Sequence, residues 1–347
     1  MYTLKRNRNA LSVAIDVKTE KGLAIVKELV KVSDVVLENY RYGVLANSGL
    51  GYQVLKAINP SLVYTSVSGF GHKDILPSPY ADRPAYDNLA QALSGLMSVN
   101  GQPGGPPLKV GIGIGDIVPG IFAVVGTLAA LRVAQLTGEG QHVDISLIDS
   151  MVAVMENPIR HYTNMGYIRG PSGNLKHVAV APYSTYACKD GYVVISAGSD
   201  KLWANLCRAL GREEWSADPR FATNKGRVQN NEEWITPWLV GWTGEHTKAE
   251  IESILSQYDV PVAPVLNCKE VTEHPHIQAR DMLIKVAHPV IGEESLVNTP
   301  IKMSKSKTGV ETPAPTLGQH TAEVLSRLLG FNQEVMEDLQ KEGVLSF

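Results

Sequence analysis

Asp116 closes the glycine-rich run over residues 109–115 and opens the apolar stretch over residues 117–131. A carboxylate placed where pliable backbone meets a helix start is suited to nucleophilic chemistry. Gly111, Gly113 and Gly115 have no Cβ atoms to keep backbone N–H groups away from a ligand, and the helix start carries partial positive charge. The same placement suits a purely structural aspartate, because Asp is a favoured N-cap and Pro119 fits a first turn whose N–H groups have no helical partner. Residues 83–87 (RPAYD) form a second candidate group, in which a proline-fixed turn delivers Tyr86 and Asp87 to a helix start; Asp87 taken alone is an ordinary N-terminal helix residue. Asn39, Tyr40 and Arg41 directly follow an expected parallel strand. An amide, a ring and a guanidinium there can receive a nucleotide-like ligand, or Arg41 can anchor the loop to its own fold.

Other chemistries find less support. Gly111, Gly113 and Gly115 lack the GxGxxG spacing of a dinucleotide fingerprint, and no Walker A sequence is present to cradle ATP. His274 and His276 flank a proline without nearby thiolates and read as a turn rather than a metal site. The three cysteines, Cys188, Cys207 and Cys268, are too scattered for a disulfide framework or zinc cluster and suit a reducing cytoplasm. Hydrophobic content of 44%, charged content of 19% and a formal charge of −3 describe a soluble protein with a small-molecule partner and no nucleic acid. Lys5, Arg6 and Arg8 read as a solvated terminus rather than a targeting signal. The apolar stretch from residue 117, interrupted by Pro119, Gly120 and Gly126, reads as a buried core helix rather than a membrane span.

These groups must be positioned by an α/β frame. Strands are expected at residues 11–15, 34–37, 62–67 and 143–147, with helices at 19–32, 52–58, 86–99, from 117 onward, and 148–165. Continuous apolar strands alternating with helices predict a Rossmann-like parallel sheet covered on both faces, with ligands beyond the strand C-termini. After the Gly/Pro/Ser/Asn-rich residues 166–174 come strands at 183–187 and 192–196 and helices near 201–210, 231–241 and 247–258, the pattern of a smaller α+β domain. Extended segments at 261–266 and 283–290 and helices at 322–329 and 333–342 follow. The expected organisation is a first part of the large domain at 1–170, a small domain at 171–285, and a C-terminal segment at 286–347 returning to the large domain.

Ordered motifs run along nearly the whole chain: NRN at 7–9, IDVK at 15–18, DVVLENYRYG at 34–43, NPSLVY at 59–64, SGFG at 68–71, PAYD at 84–87, SGLM at 94–97, GD at 115–116, TGEGQ at 137–141, VDISLID at 143–149, APY at 181–183, KDGY at 189–192 and LGQH at 317–320. Together they resemble the family III CoA-transferases, the group that includes formyl-CoA and carnitine CoA-transferases, with the related 2-methylacyl-CoA racemases. The resemblance implies that Asp116 is the covalent nucleophile, and an aspartate with a reference pKa of about 3.9 needs no general base at pH 7. It implies acyl-CoA and a small carboxylic acid as substrates, a succinyl-type donor as one candidate, no metal and no prosthetic group. CoA contacts are carried over to Ile15, Asp16, Val17, Lys18, Asn39, Tyr40, Arg41, Ala85, Tyr86 and Asp87, with Arg41 or Lys18 as phosphate partners. An interlocked homodimer is implied as well.

The racemase branch places His where Tyr86 stands, and a tyrosine with a reference pKa near 10 is a poor base at pH 7, so transfer is expected over racemisation. Family members ordinarily begin with a further strand, helix and strand of roughly fifty residues. Its absence from this sequence leaves a catalytically impaired CoA-binding protein as another alternative. Residues 178–181 (VAVA) replace the polyglycine loop of some relatives, and Asn47 and Ser48 stand where relatives often carry a basic and a large apolar residue. Backbone N–H groups near Gly113 and Gly115, or before Pro182, are candidate oxyanion donors; Arg160, His161 and Lys176 are candidates for meeting a second carboxylate.

Overall fold

Thr19 opens the first helix by a side-chain cap, its Oγ1 accepting the Gly22 N–H at 3.0 Å, and α1 (Glu20–Lys31) follows. The computed structural model describes residues 7–174 and 179–346; Lys5, Arg6, Lys176 and Val178 lie outside the described residues. After α1 come β1 (Val35–Glu38), α2 (Tyr52–Ile58), β2 (Val63–Ser68), α3 (Asp87–Leu93), α4 (Ile114–Thr137), β3 (His142–Ser146) and α5 (Leu147–Val154). The three strands form a parallel sheet in the order β1-β2-β3, with Glu38 opposite Ser66 and Ser66 opposite Asp144. The expected mixed α/β class with a parallel sheet is therefore observed.

Alternation along β2 assigns its two faces. Leu62 and Tyr64 pack with Val30, Leu50 and Leu55 under α1 and α2, whereas Val63 packs with Ala130 and Ala134 of α4. Small residues let α4 sit close: a Cβ on Gly126 would come within 2.8 Å of Val143, and Thr127 Oγ1 lies 2.7 Å from Thr65 Oγ1. The expected strand at 11–15 is present only as a bridge between Ile15 and Leu345. Its backbone partners come instead from C-terminal side chains, Ser12 N donating to His320 Nδ1 and Ala14 N to Thr321 Oγ1. The expected helix at 86–99 breaks after α3, where Gly95 adopts a left-handed φ of 84°.

Two expectations about α4 need correction. The helix begins at Ile114 with Gly113 as its N-cap, so Asp116 lies in the first turn rather than at the cap. It is also not a fully buried core helix. Gly115, Pro119, Ala123, Ala130 and Ala134 are buried, while Ile121, Val125 and Leu136 are exposed. By length and composition it is the one described helix able to cross a bilayer, but its Ala130 and Ala134 cover the sheet at Val63.

The chain divides into two compact units. Met1–Ser94, Gly111–Met155 and Thr272–Phe347 make the first, and Gly95–Val110 with Glu156–Val271 make the second. The ranges 1–170, 171–285 and 286–347 differ from this division because composition does not reveal with which unit a Gly/Pro loop such as 95–110 packs. In the first unit, Ile25 of α1 shares a core with Leu325, Met336, Leu339 and Leu345 of the C-terminal segment, whose helices span Thr321–Leu329 and Gln333–Lys341. The second unit carries an antiparallel sheet of Tyr183–Cys188, Gly191–Ser196 and Val262–Pro264 over a core containing Trp203, Leu206, Phe221 and Leu239. Its Arg227, fully buried, donates to the carbonyls of Ala181, Gly198 and Phe221 and pairs with Asp200 at 2.8 Å. Four of its five N–H groups thus have carbonyl or carboxylate partners, the pairing that a buried guanidinium needs.

Candidate active site

Beyond the carboxyl ends of β1 and β2, on the α4 face of the sheet, lies a cavity of about 700 Å³. Its wall includes Asn39, Tyr40 and Arg41 after β1, Arg83, Ala85 and Tyr86 from the loop after β2, and Asp116 with Gly120 and Val124 from α4. This is the crevice at which a parallel α/β sheet receives ligands, and its volume suits part of a large, flexible ligand. Three segments distant in sequence, singled out for their chemistry, are brought to one cavity of the first unit.

Each is held by identifiable contacts. Asn39 Nδ2 donates to the Val67 carbonyl at 2.6 Å, tying the loop after β1 to β2, and the Tyr40 N–H donates to Glu38 Oε2 at 2.6 Å. Ala85 packs so closely on the end of β2 that a Cβ on Gly69 would lie 2.5 Å from its own Cβ, so only glycine fits there. The Tyr86 ring is 66% exposed and is free to meet a ligand.

Asp116 is exposed, and its turn is shaped by Asp87. Asp87 Oδ1 accepts the Gly115 N–H at 2.7 Å, and Gln91 Nε2 holds both Asp87 oxygens at 3.1 and 3.0 Å. A Cβ on Gly115 would sit 2.7 Å from the Asp87 carbonyl oxygen, so the approach of α3 to α4 needs a glycine. Asp87 therefore supplies the side-chain acceptor at this helix start that Gly113 cannot. The Gly115 N–H is committed to that bond, which removes it from the candidate oxyanion donors.

Ile15, Asp16, Val17 and Lys18 are not in this wall. Ile15 and Asp16 lie against the C-terminal segment, Ile15 bridging Leu345 and Asp16 N donating to the Val344 carbonyl at 2.9 Å, while Lys18 N donates locally to Asp16 Oδ1 at 2.9 Å. Asp87 is likewise behind the wall rather than in it. Arg160, on Glu156–Met165 of the second unit, pairs with Glu156 at 3.2 Å, and the His161 ring lies 6.2 Å from Tyr167. His274 caps the helix Pro275–Ala279 by accepting the His276 N–H, and among the described residues no three His, Cys, Asp or Glu side chains gather as a metal site.

On the opposite face of the sheet a polar cluster escaped the sequence reading. His72 Nε2 lies 3.4 Å from Glu38 Oε1 without forming a hydrogen bond, and the His72 backbone N–H donates to Asp144 Oδ2 at 2.9 Å. His142 Nε2 is 2.7 Å from Ser66 Oγ, with its ring packed among Tyr52, Tyr64 and His72. Burial, then the neighbouring His72, lowers the His142 pKa to about 4, and burial raises that of Asp144. The cluster joins the ends of all three strands and borders a smaller cavity of about 210 Å³ that shares Glu38, Arg41 and Tyr42 with the first. The available signal was a strand with polar residues at both 142 and 144 in a sheet covered on both faces.

A parallel-sheet crevice with a carboxylate on a glycine-bounded helix turn agrees with the comparison with known proteins: residues 1–321 match CoA-transferase family III, and the chain belongs to that family. It is a CoA-transferase by class. Among its relatives, the succinyl-CoA:D-citramalate CoA-transferase of Chloroflexus aurantiacus is 37% identical over 97% of this chain and 83% of the relative. The succinate:glutarate CoA-transferase of Agrobacterium fabrum is 36% identical over 94% and 80%. The crystal structure of a CAIB/BAIF family protein from Brucella suis, 35% identical, superimposes with a TM-score of 0.81 over 94% of this chain and 84% of that one.

Proposed function

We propose that this protein moves CoA from succinyl-CoA to a small carboxylic acid, with Asp116 as the covalent nucleophile. The observation that carries the reading is the exposed Asp116 carboxylate in the wall of the same cavity as Asn39, Tyr40, Arg41, Ala85 and Tyr86. Relatives named for succinyl-CoA with citramalate and glutarate support the donor.

The Asp116 carboxylate attacks the thioester carbonyl, forming a mixed anhydride and releasing CoA thiolate. The thiolate attacks the aspartyl carbonyl of that anhydride, giving an aspartyl-CoA thioester and freeing the donor acid. The acceptor carboxylate then attacks the thioester to form a second anhydride, again releasing thiolate. Attack of the thiolate on the acceptor's acyl carbonyl completes the new acyl-CoA and restores Asp116. One thioester replaces another, so no ATP is consumed. The start of α4 favours the anionic carboxylate, while Arg41 is suited to a CoA phosphate. A homodimer and a reducing cytoplasm belong to the same reading; the exposed outer face of α4 supports the first and the free thiols of Cys188, Cys207 and Cys268 the second.

The purified chain incubated with succinyl-CoA and a panel of mono- and dicarboxylic acids is expected to yield new acyl-CoA products by mass spectrometry. Asp116→Ala should abolish them, a loss of at least about 10³-fold for a missing covalent nucleophile. Transfer that survives in the variant would refute the assignment of Asp116. Exchange of an α-proton in D₂O without any acceptor acid would instead indicate the racemase chemistry.

A further inference from the structure

The cavity wall contains two cations among the described residues, Arg41 and Arg83, and neither forms an ion pair with a carboxylate of the described residues. Arg41 lines both cavities. Arg83 is tied to the Asp116 side. Pro84 fixes the backbone next to it, Ala85 is pinned against Gly69, and Asp87 holds the Gly115 N–H immediately before Asp116. The Arg83 guanidinium is held over the Tyr80 ring, 4.1 Å from its centre, and Tyr80 in turn packs on Phe70 at 5.6 Å. A guanidinium stacked on one face keeps its in-plane N–H fork available, the geometry that receives a carboxylate through two parallel hydrogen bonds.

Resting on the transferase reading above, we infer that Arg83 is a specificity-determining residue that receives the distal carboxylate of a dicarboxylic acyl group while its thioester carbon lies at Asp116. The substrates this selects are short dicarboxylic acids and their CoA thioesters, over monocarboxylic acyl groups of equal length. A monocarboxylic chain would leave the unpaired guanidinium without the partner that its cavity lacks. The same fork could meet a phosphate of CoA, an anion common to every acyl-CoA, and the test separates the two.

Equilibrium affinities for succinyl-CoA and butyryl-CoA, which differ in having a terminal carboxylate or a methyl group, are measured by calorimetry on the full chain carrying Asp116→Asn, so that turnover does not intervene. The Arg83-containing protein is expected to prefer succinyl-CoA. Arg83→Gln should weaken succinyl-CoA by about tenfold or more, the scale of a charged hydrogen bond, and leave butyryl-CoA within about twofold. Arg83→Lys keeps the charge without the fork and should give an intermediate loss for succinyl-CoA alone, which also serves if the Gln variant does not fold. Equal weakening of both ligands would assign Arg83 to a CoA phosphate and overturn the inference, as would affinities that do not change. If the discrimination holds while the unmodified chain transfers CoA to no acid, the transferase substrate assignment fails and the role of Arg83 stands.

Discussion

His142 and Asp144 pull stability in opposite directions as pH changes, and the cluster they share makes the difference measurable. The His142 pKa lies at about 4 in the folded chain, below the reference value of about 6.5, so folding favours the neutral ring. Its contribution is present above pH 6.5 and is lost as pH falls from there towards 4. Asp144 is raised by burial, so its penalty is felt when ionised and relieved on acidification. Urea midpoints between pH 7 and pH 4.5 should fall for the unmodified chain and fall less steeply for His142→Gln; parallel curves would show that His142 is not the titrating group. Asp116 was legible as a candidate because glycine, acid and apolar run adjoin one another. His72, Glu38 and Asp144 were not, because their proximity arises from strand register between residues 34 to 72 positions apart or more, which local pattern does not carry.

At the scale of elements, the start of α4 depends on α3. The sequence offers Asp116 itself as the cap of the helix; the cap position falls on Gly113, and the side-chain acceptor comes from Asp87 across the helix pair. Such a reassignment is invisible to one-dimensional reading, since a helix boundary moves by three residues when a distant carboxylate satisfies its N–H groups. Gly115→Ala forces a contact of 2.7 Å with the Asp87 carbonyl oxygen and 3.1 Å with Ala90 Cβ. It should cost about 1–3 kcal/mol of stability as overpacking and lower kcat more than tenfold by displacing the Asp116 turn. Thermal melts and steady-state rates together check this, and a variant with unchanged kcat would show that the turn does not need the close approach. The strands at β1, β2 and β3 and helices α1 and α2 were legible within one or two residues, because Thr19 and the continuous apolar runs mark them directly.

For the whole molecule, the outer face of α4 sets the expectation. Ile121 and Val125 are each about three-fifths exposed and lie one helical turn apart, an apolar surface of the kind that folded chains cover by association. Light scattering should return twice the 37.6 kDa chain mass, and Ile121→Asp with Val125→Asp should shift it to a single chain or cause aggregation. A monodisperse single chain at micromolar concentration before substitution would remove the homodimer from the reading. The unit division was only partly legible, since its first unit takes three separate stretches of chain. That arrangement also orders events during synthesis. The core joining Ile25 to Leu325, Met336 and Leu345 cannot close until residue 345 has left the ribosome, whereas the residues of the second unit, ending at Val271, have all been made before it. The unit that carries Asp116 is the one whose distant stretches must wait for each other, so α1 is made long before the C-terminal helices that complete its core.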